Sequence, residues 1–161
     1  MSQHALERLK ERFGDAVVST HSQHGDDTAV VARERIREVI SFLRDDPELL
    51  FNFPSDLTCV DYFGREPRFE VVYHLHSLTT KKRIRVKCQV PEEDPQIDSI
   101  VALFSGFNWF EREVWDMYGI RFNGHPDLRR LFMYESFQGH PLRKDYPKDK
   151  RQPLVRREGN S

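Results

Sequence analysis

Lys82-Arg83-Ile84-Arg85-Val86-Lys87-Cys88-Gln89-Val90 alternates without a break. Ile84, Val86, Cys88 and Val90 fall on one side, and Arg83, Arg85 and Lys87 on the other. A period of two predicts a half-buried strand, and a wet second side suits an antiparallel sheet. Working upstream, residues 57–62 and 69–76 carry the β-branched and aromatic content of two more strands, and polar turns short enough for antiparallel pairing join them.

Farther back the period becomes helical. Leu6, Leu9 and Phe13 recur at helix spacing, and Gly14 is placed to end that helix. Residues 16–18 and 28–31 read as two short strands across a polar loop at 21–27, a candidate hairpin. Ile36, Val39, Ile40 and Leu43 then form an apolar stripe, with Arg33, Glu34, Arg37, Glu38 and Arg44 expected to face out and Pro47 limiting the run. Downstream of the alternating strand, Asp94 and Pro95 predict the N-cap and first turn of a helix that buries Ile97, Ile100, Val101 and Phe104. The expected class is α+β: a small, mostly antiparallel sheet with helices packed on one face, followed by an extended C-terminal arm.

The chain has 161 residues and a net charge of −1, one domain's worth with no overall pull toward nucleic acid or membrane. No apolar run approaches the roughly 20 residues that cross a bilayer, and no basic-then-apolar leader opens the sequence. Cys59 and Cys88 make no disulfide framework, so a cytosolic chain with reduced thiols is expected.

Residues 108–118 concentrate charge and aromatic bulk. Asn108 and Glu111 have capping-box spacing, and Gly119 suits a left-handed residue past the helix end. Phe110, Val114, Met117 and Tyr118 share one face. Arg112, Glu113 and Asp116 lie opposite, where Arg112 and Asp116 stand one turn apart and can pair, and Trp115 sits between.

Beyond Tyr118 no period holds. Pro126, Pro141, Pro147 and Pro153 punctuate a segment that carries Phe132, Met133, Tyr134, Phe137, Leu142 and Tyr146. Such a long unstructured stretch is uncommon in a domain, and disordered tails are poor in these side chains. The expected organisation is a compact domain over 1–119, a partner-binding arm over 120–147 and a basic polar tail over 148–161.

A conventional active site is not visible. Glu111 and Glu113 are two apart on a helix and diverge, whereas catalytic carboxylates converge on one bond; capping and ion pairing suit them better. His125 and His140 each precede a proline and belong to no metal-binding spacing. Two cysteines are too few for an iron–sulfur cluster, and Cys88 lies on the apolar strand face. There is no phosphate loop or nucleophile elbow. Arg83, Arg85, Lys87 and the basic tail could touch RNA, although a charged sheet face is more often simply solvated.

The residues also carry a family likeness. Glu111-Arg112-Glu113, then Asp116-Met117-Tyr118-Gly119-Ile120 and Gly124-His125-Pro126-Asp127-Leu128-Arg129-Arg130, resembles the signature of the thirty-kilodalton (C) subunit of bacterial NADH:quinone oxidoreductase, respiratory complex I. Ser55-Asp56-Leu57-Thr58-Cys59-Val60-Asp61-Tyr62 and Phe69-Glu70-Val71-Val72-Tyr73-His74-Leu75 resemble two of its strands. Gly139-His140-Pro141-Leu142-Arg143-Lys144-Asp145-Tyr146 resembles its closing motif. The likeness runs from about residue 33 to 147, with Cys59 where the family has glycine.

The resemblance implies a peripheral-arm subunit with no catalytic or metal residues and no cofactor of its own, in a complex that carries FMN, iron–sulfur clusters and quinone. It implies docking on the quinone-site (D) subunit, beside subunits B and I or G, on the cytoplasmic face of the bacterial inner membrane, with membrane association only through the complex. The equivalent subunit of a related membrane-bound hydrogenase or other-donor dehydrogenase is the nearest alternative, and a small RNA-binding module a distant one. By the same likeness the family signature and subunit interface comprise Glu111, Arg112, Glu113, Trp115, Asp116, Tyr118, Gly119, His125, Pro126, Asp127, Arg129, Arg130, His140, Arg143, Lys144, Asp145 and Tyr146.

Overall fold

The computed structural model describes residues 3–153, so the last part of the basic tail lies outside the described residues. Within them, seven strands and three α-helices follow in the order α1 (Gln3–Phe13), β1 (Val17–Gln23), β2 (Asp26–Val31), α2 (Ile36–Asp45), β3 (Phe53–Asp61), β4 (Phe69–Ser77), β5 (Lys82–Val90), β6 (Gln96–Asp98), α3 (Phe107–Tyr118) and β7 (Arg121–Asn123). The main sheet runs β1-β2-β5-β4-β3. The alternating strand occupies its centre. Ile84, Val86, Cys88 and Val90 are all buried on the side that α1, α2 and α3 cover. From α2 come Ile36, Val39, Ile40 and Leu43, each with no exposed surface, as the stripe requires. The α+β class therefore holds, with helices on one face of a mostly antiparallel sheet.

Several details depart from expectation. The β1–β2 hairpin is longer than the short strands foreseen: β1 and β2 take in most of the polar loop, leaving a tight turn at His24 and Gly25. β2 lies parallel to β5, because the chain leaves the hairpin through α2, adds β3 and β4 at the far side, and returns β5 to the gap beside β2.

The larger correction concerns residues 94–104. No helix forms there; residues 96–98 make β6, which pairs in parallel with β7. Arg33, which was expected to face solvent, explains part of this. Its guanidinium donates to the carbonyl oxygens of Asp94 and Gln96 at 2.7 and 3.1 Å and to the Asp94 carboxylate at 2.6 Å. Those contacts tie residues 94–96 to the segment that leads into α2, and Gln96 N–H bonds back to Asp94 O at 2.8 Å. Ile97, Ile100 and Phe104 are buried all the same, whereas Val101 is only half-buried. Arg44 likewise reaches inward across the helix layer, donating to the Leu103 carbonyl at 3.0 Å.

The core continues past the expected boundary at 119. Ile120 and Phe122 belong to it, and Ser99 N–H donates to Asn123 O at 2.9 Å.

Candidate functional site

α3 begins at Phe107, with Gly106 at the N-cap position and no side-chain cap. Asn108 and Glu111 therefore form no capping box. Glu111 is instead drawn sideways into the core: Ser99 Oγ donates to Oε2 at 2.6 Å and Ile100 N–H to Oε1 at 2.8 Å. Burial raises its carboxyl to about 7, against the opposing pull of those two donors. The helix ends on Gly119 in the left-handed region (φ 77°), its N–H bonded to Trp115 O. A Cβ there would stand 2.5 Å from His140 Nε2, so glycine is required by conformation and by space.

The opposite side of α3 receives the arm. Asp116 has no exposed surface and gathers four donors. Arg130 Nη1 reaches Oδ1 at 2.7 Å, and the backbone N–H groups of Leu131, Phe132 and Met133 reach Oδ2 at 3.1, 2.8 and 2.9 Å. Burial alone would raise this carboxyl; the Met133 amide, Arg130 and the other two amides outweigh it and hold it below the ordinary range. Arg112 does not pair with Asp116. Its guanidinium donates to the carbonyl oxygens of Arg129 and Arg130 at 3.2 and 3.1 Å. Glu113 is half-buried and makes no hydrogen bond or ion pair among the described residues.

His125 bridges the arm to the helix start: Nδ1 accepts from Asp127 N–H at 3.0 Å, which leaves Nε2 to donate to Asn108 O at 3.2 Å. Pro126 is exposed, and Arg129 pairs with its neighbour Asp127 at 2.9 Å. His140 donates through Nδ1 to Asp116 O at 3.0 Å and packs edge-on against Trp115. Burial holds its imidazole below the usual value, hence neutral at pH 7.

A second clasp closes the arm over the end of the sheet. Arg143 donates to Tyr118 O at 2.6 Å and lies over the Phe69 ring, and Leu142 N–H reaches Met117 O at 3.1 Å. Lys144 N–H donates to Asp61 Oδ2 at 2.8 Å. Asp145 meets Arg68 at 2.6 Å, and Arg68 also grips Asp61 at 2.8 Å and Glu92 at 2.6 Å. Arg68 is 1% exposed, between the rings of Phe63 and Phe69. Asp61 and Asp145 raise its pKa further, and it holds both carboxyls below their ordinary range. Tyr146 stacks on Phe137, and the Arg130 guanidinium lies over the Phe137 ring.

Asp61 and Arg68 are the site residues that sequence reading missed. Asp61 carried a usable signal: it has the same strand parity as Leu57 and Cys59, so its carboxylate points to the buried side and needs a cation.

The basic strand face is largely neutralised within the chain, Lys87 by Glu70 at 2.8 Å and Arg85 by Asp26 at 3.3 Å. Among the described residues no cluster of His, Cys, Asp or Glu could hold a metal ion, and no helix is long and apolar enough to cross a membrane. Cys59 and Cys88 are buried thiols whose ionisation desolvation opposes. The site is thus a surface built by α3 and a strapped-down arm, with ion pairs inside and Trp109 (67% exposed), Phe132 (60%) and Leu142 (50%) outside.

Comparison with known proteins places this architecture. The family model of the respiratory-chain NADH dehydrogenase 30 Kd subunit matches residues 29–152. The NADH-quinone oxidoreductase C subunit of Roseiflexus sp. (strain RS-1) is 53% identical over 88% of this chain and 82% of its own length. The corresponding C 2 subunit of Rhizobium etli (strain CIAT 652) is 48% identical over 91% and 80%. The solved trypsin-resistant fragment (1-134) of Nqo5 superposes with a TM-score of 0.67 at 36% identity, covering 77% of this chain and 99% of that one. A chain of the membrane-bound sulfane sulfur reductase, an archaeal respiratory membrane complex, shares the fold at a TM-score of 0.76 and 18% identity, over 91% and 86%. The chain belongs to the family of the respiratory-chain NADH dehydrogenase 30-kDa subunit.

Proposed function

We propose that this chain is a structural subunit of the peripheral arm of a proton-translocating NADH:quinone oxidoreductase. It binds no flavin, cluster or quinone itself, is not catalytic alone, and docks on the quinone-site (D) subunit with subunits B and I or G as neighbours. It sits on the cytoplasmic face of the inner membrane and supports electron transfer from NADH to quinone by holding its neighbours in register.

The observation that carries this reading is the arm. A segment of some twenty residues without helix or strand is fastened to α3 and the sheet end through Asp116 and Arg68, at the cost of ordering its whole backbone. Arg129, Arg130 and Arg143 are engaged by the chain's own acids and carbonyls, while Phe132 and Leu142 on the arm, and Trp109 on α3, stay exposed. Exposed aromatic and aliphatic groups on an ordered strap suit a permanent protein neighbour. The signature residues then act by shaping that strap rather than by touching electrons.

The test is affinity purification of the tagged chain from detergent-solubilised membranes, with the co-purifying subunits identified. Recovery with flavin, iron–sulfur and quinone-site subunits is the expected result. Recovery of the chain alone, or with partners lacking a flavin subunit, overturns the reading.

A further inference from the structure

Glu111 differs from three other buried acids among the described residues. Asp61, Asp116 and Asp46 each meet an arginine, at 2.8, 2.7 and 2.6 Å. Glu111 has no exposed surface and meets no cation among the described residues. Its two oxygens are served only by the Ser99 hydroxyl and the Ile100 amide, both on the turn that follows β6. Two neutral dipoles are a thin substitute for water around a full negative charge.

The neighbours do not supply what is missing. From β4, Tyr73 lies within electrostatic reach of Glu111, of Asp98 on β6 and of the thiols of Cys59 on β3 and Cys88 on β5. Burial keeps the phenol and both thiols protonated, and none of the four groups is a cation. The Ser99 hydroxyl, in contrast, can serve both forms of the acid. It donates to a carboxylate, and after rotation it accepts from a protonated carboxyl, as it already accepts from Val101 N–H at 3.2 Å.

We propose that Glu111 is a buried proton-binding site whose ionisation loosens the seat of α3 on the turn at residues 99–101, a pH-sensitive element built into the helix that carries the arm. Protonated, Glu111 closes an uncharged network of carboxyl, hydroxyl and amides at the centre of the fold. Ionised, it places an uncompensated charge there, and the least costly relief is to let water reach the turn. The same helix presents Asp116 to the arm little more than one turn further on, where a guanidinium and three amides keep that acid charged. α3 therefore carries one acid tuned to hold its charge and one tuned to shed it. The behaviour of Glu111 does not depend on which complex the chain joins.

Two measurements on the full chain decide it. The carbon-13 shift of the Glu111 side-chain carboxyl, assigned by its loss in Glu111→Gln, should titrate with a midpoint near 7, where the site's chemistry places it. Over the same interval the Ile100 and Val101 amides should lose hydrogen-exchange protection beyond the intrinsic pH effect, several-fold for each. The wild-type titration stands by itself if Glu111→Gln does not fold, and Ser99→Ala, which removes the donor to the carboxylate, should move the midpoint upward. A Glu111 midpoint in the ordinary range below 5, or amide protection that does not change across the titration, overturns the proposal.

Discussion

Arg130 Nη1 lies 2.7 Å from Asp116 Oδ1, fourteen residues away along the chain, and this ion pair is where the arm turns back onto α3. The three successive amides that follow Arg130 point at the other oxygen of the same carboxylate. Such a nest needs a buried anion at its centre. Asp116→Asn keeps the shape, removes the charge and puts an NH2 group against either the guanidinium or the amides. It should cost about 3–5 kcal/mol of stability, the usual cost of breaking one partner of a buried pair. Urea denaturation checks the cost, and faster tryptic cleavage at Arg129 and Arg130 would show that the arm has been released.

Arg68 offers a sharper case, because three carboxylates from three segments converge on it. Arg68→Met keeps the bulk between Phe63 and Phe69 but leaves Asp61 buried with only the Lys144 amide. A loss of about 3–5 kcal/mol is expected. Adding Asp61→Leu to that variant removes the stranded charge and should restore a substantial part of the loss. Additive losses in the double variant would show that the pair is not coupled.

The α2 stripe makes the simplest prediction. Ile40 has no exposed surface and packs within the central cluster, so Ile40→Ala should cost about 2–5 kcal/mol in thermal or chemical denaturation.

That stripe and the alternation of β5 were legible because both follow from local periods that burial on one side imposes. The class followed from them. What escaped was set by partners far away in sequence. Arg112 and Asp116 have the spacing of an i,i+4 pair, yet each found better company in the arm, the one on carbonyl oxygens and the other on Arg130 and three amides. Asp94-Pro95 has the look of a helix start, and Arg33, more than sixty residues earlier, ties residues 94–96 down while 96–98 pair with β7. Glu111 had the spacing of a capping box, and the core claimed it through Ser99. Spacing rules weigh neighbours along the chain. A buried charge answers to whatever donor the tertiary fold brings within reach, and the sequence hints at it only through parity, as with Asp61 on its strand.

The opposed shifts of these acids set a pH profile. Asp61 and Asp116 sit below their ordinary value of 3.8 in the fold, so the stability they give is present above that pH and is lost as pH falls through their folded values. Glu111 has the opposite sign. Its folded value near 7 lies above its ordinary 4.5, so stability falls as pH rises between the two and stays reduced above 7. That step is on the order of 3 kcal/mol. Taken alone, these three acids favour the acid side of neutrality, and the half-buried imidazoles of His74 and His140, held below their ordinary 6.5, oppose them as pH falls below that value. In Glu111→Gln the decline between 5 and 7 should vanish while the acid limb stays. Urea midpoints from pH 3 to 9 would reveal both limbs, and an unchanged slope in the variant would assign the decline to another group.

Where the chain can be cut follows from the core rather than from the loss of period after Tyr118. Ile120 and Phe122 are buried, and β7 supplies the partner strand for β6. A chain ending after Gly119 loses all three and leaves Ile97, the β6 residue opposite Phe122, uncovered. It should not reach native helix and strand content by circular dichroism. A chain ending after Asn123 keeps that small sheet and gives up only the arm. Asp61 and Asp116 lose donors but gain water, which softens the cost of leaving them charged. This shorter cut should fold with reduced stability and fail to enter the membrane complex, as seen by native-gel migration in cells that carry it. The pair of cuts separates two roles that one truncation would confuse. If the chain ending after Asn123 assembles normally, the strap is not the docking element. If it does not fold, the strap is part of the core it was thought to decorate, and the exposed Phe132 and Leu142 must be tested by substitution in the intact chain.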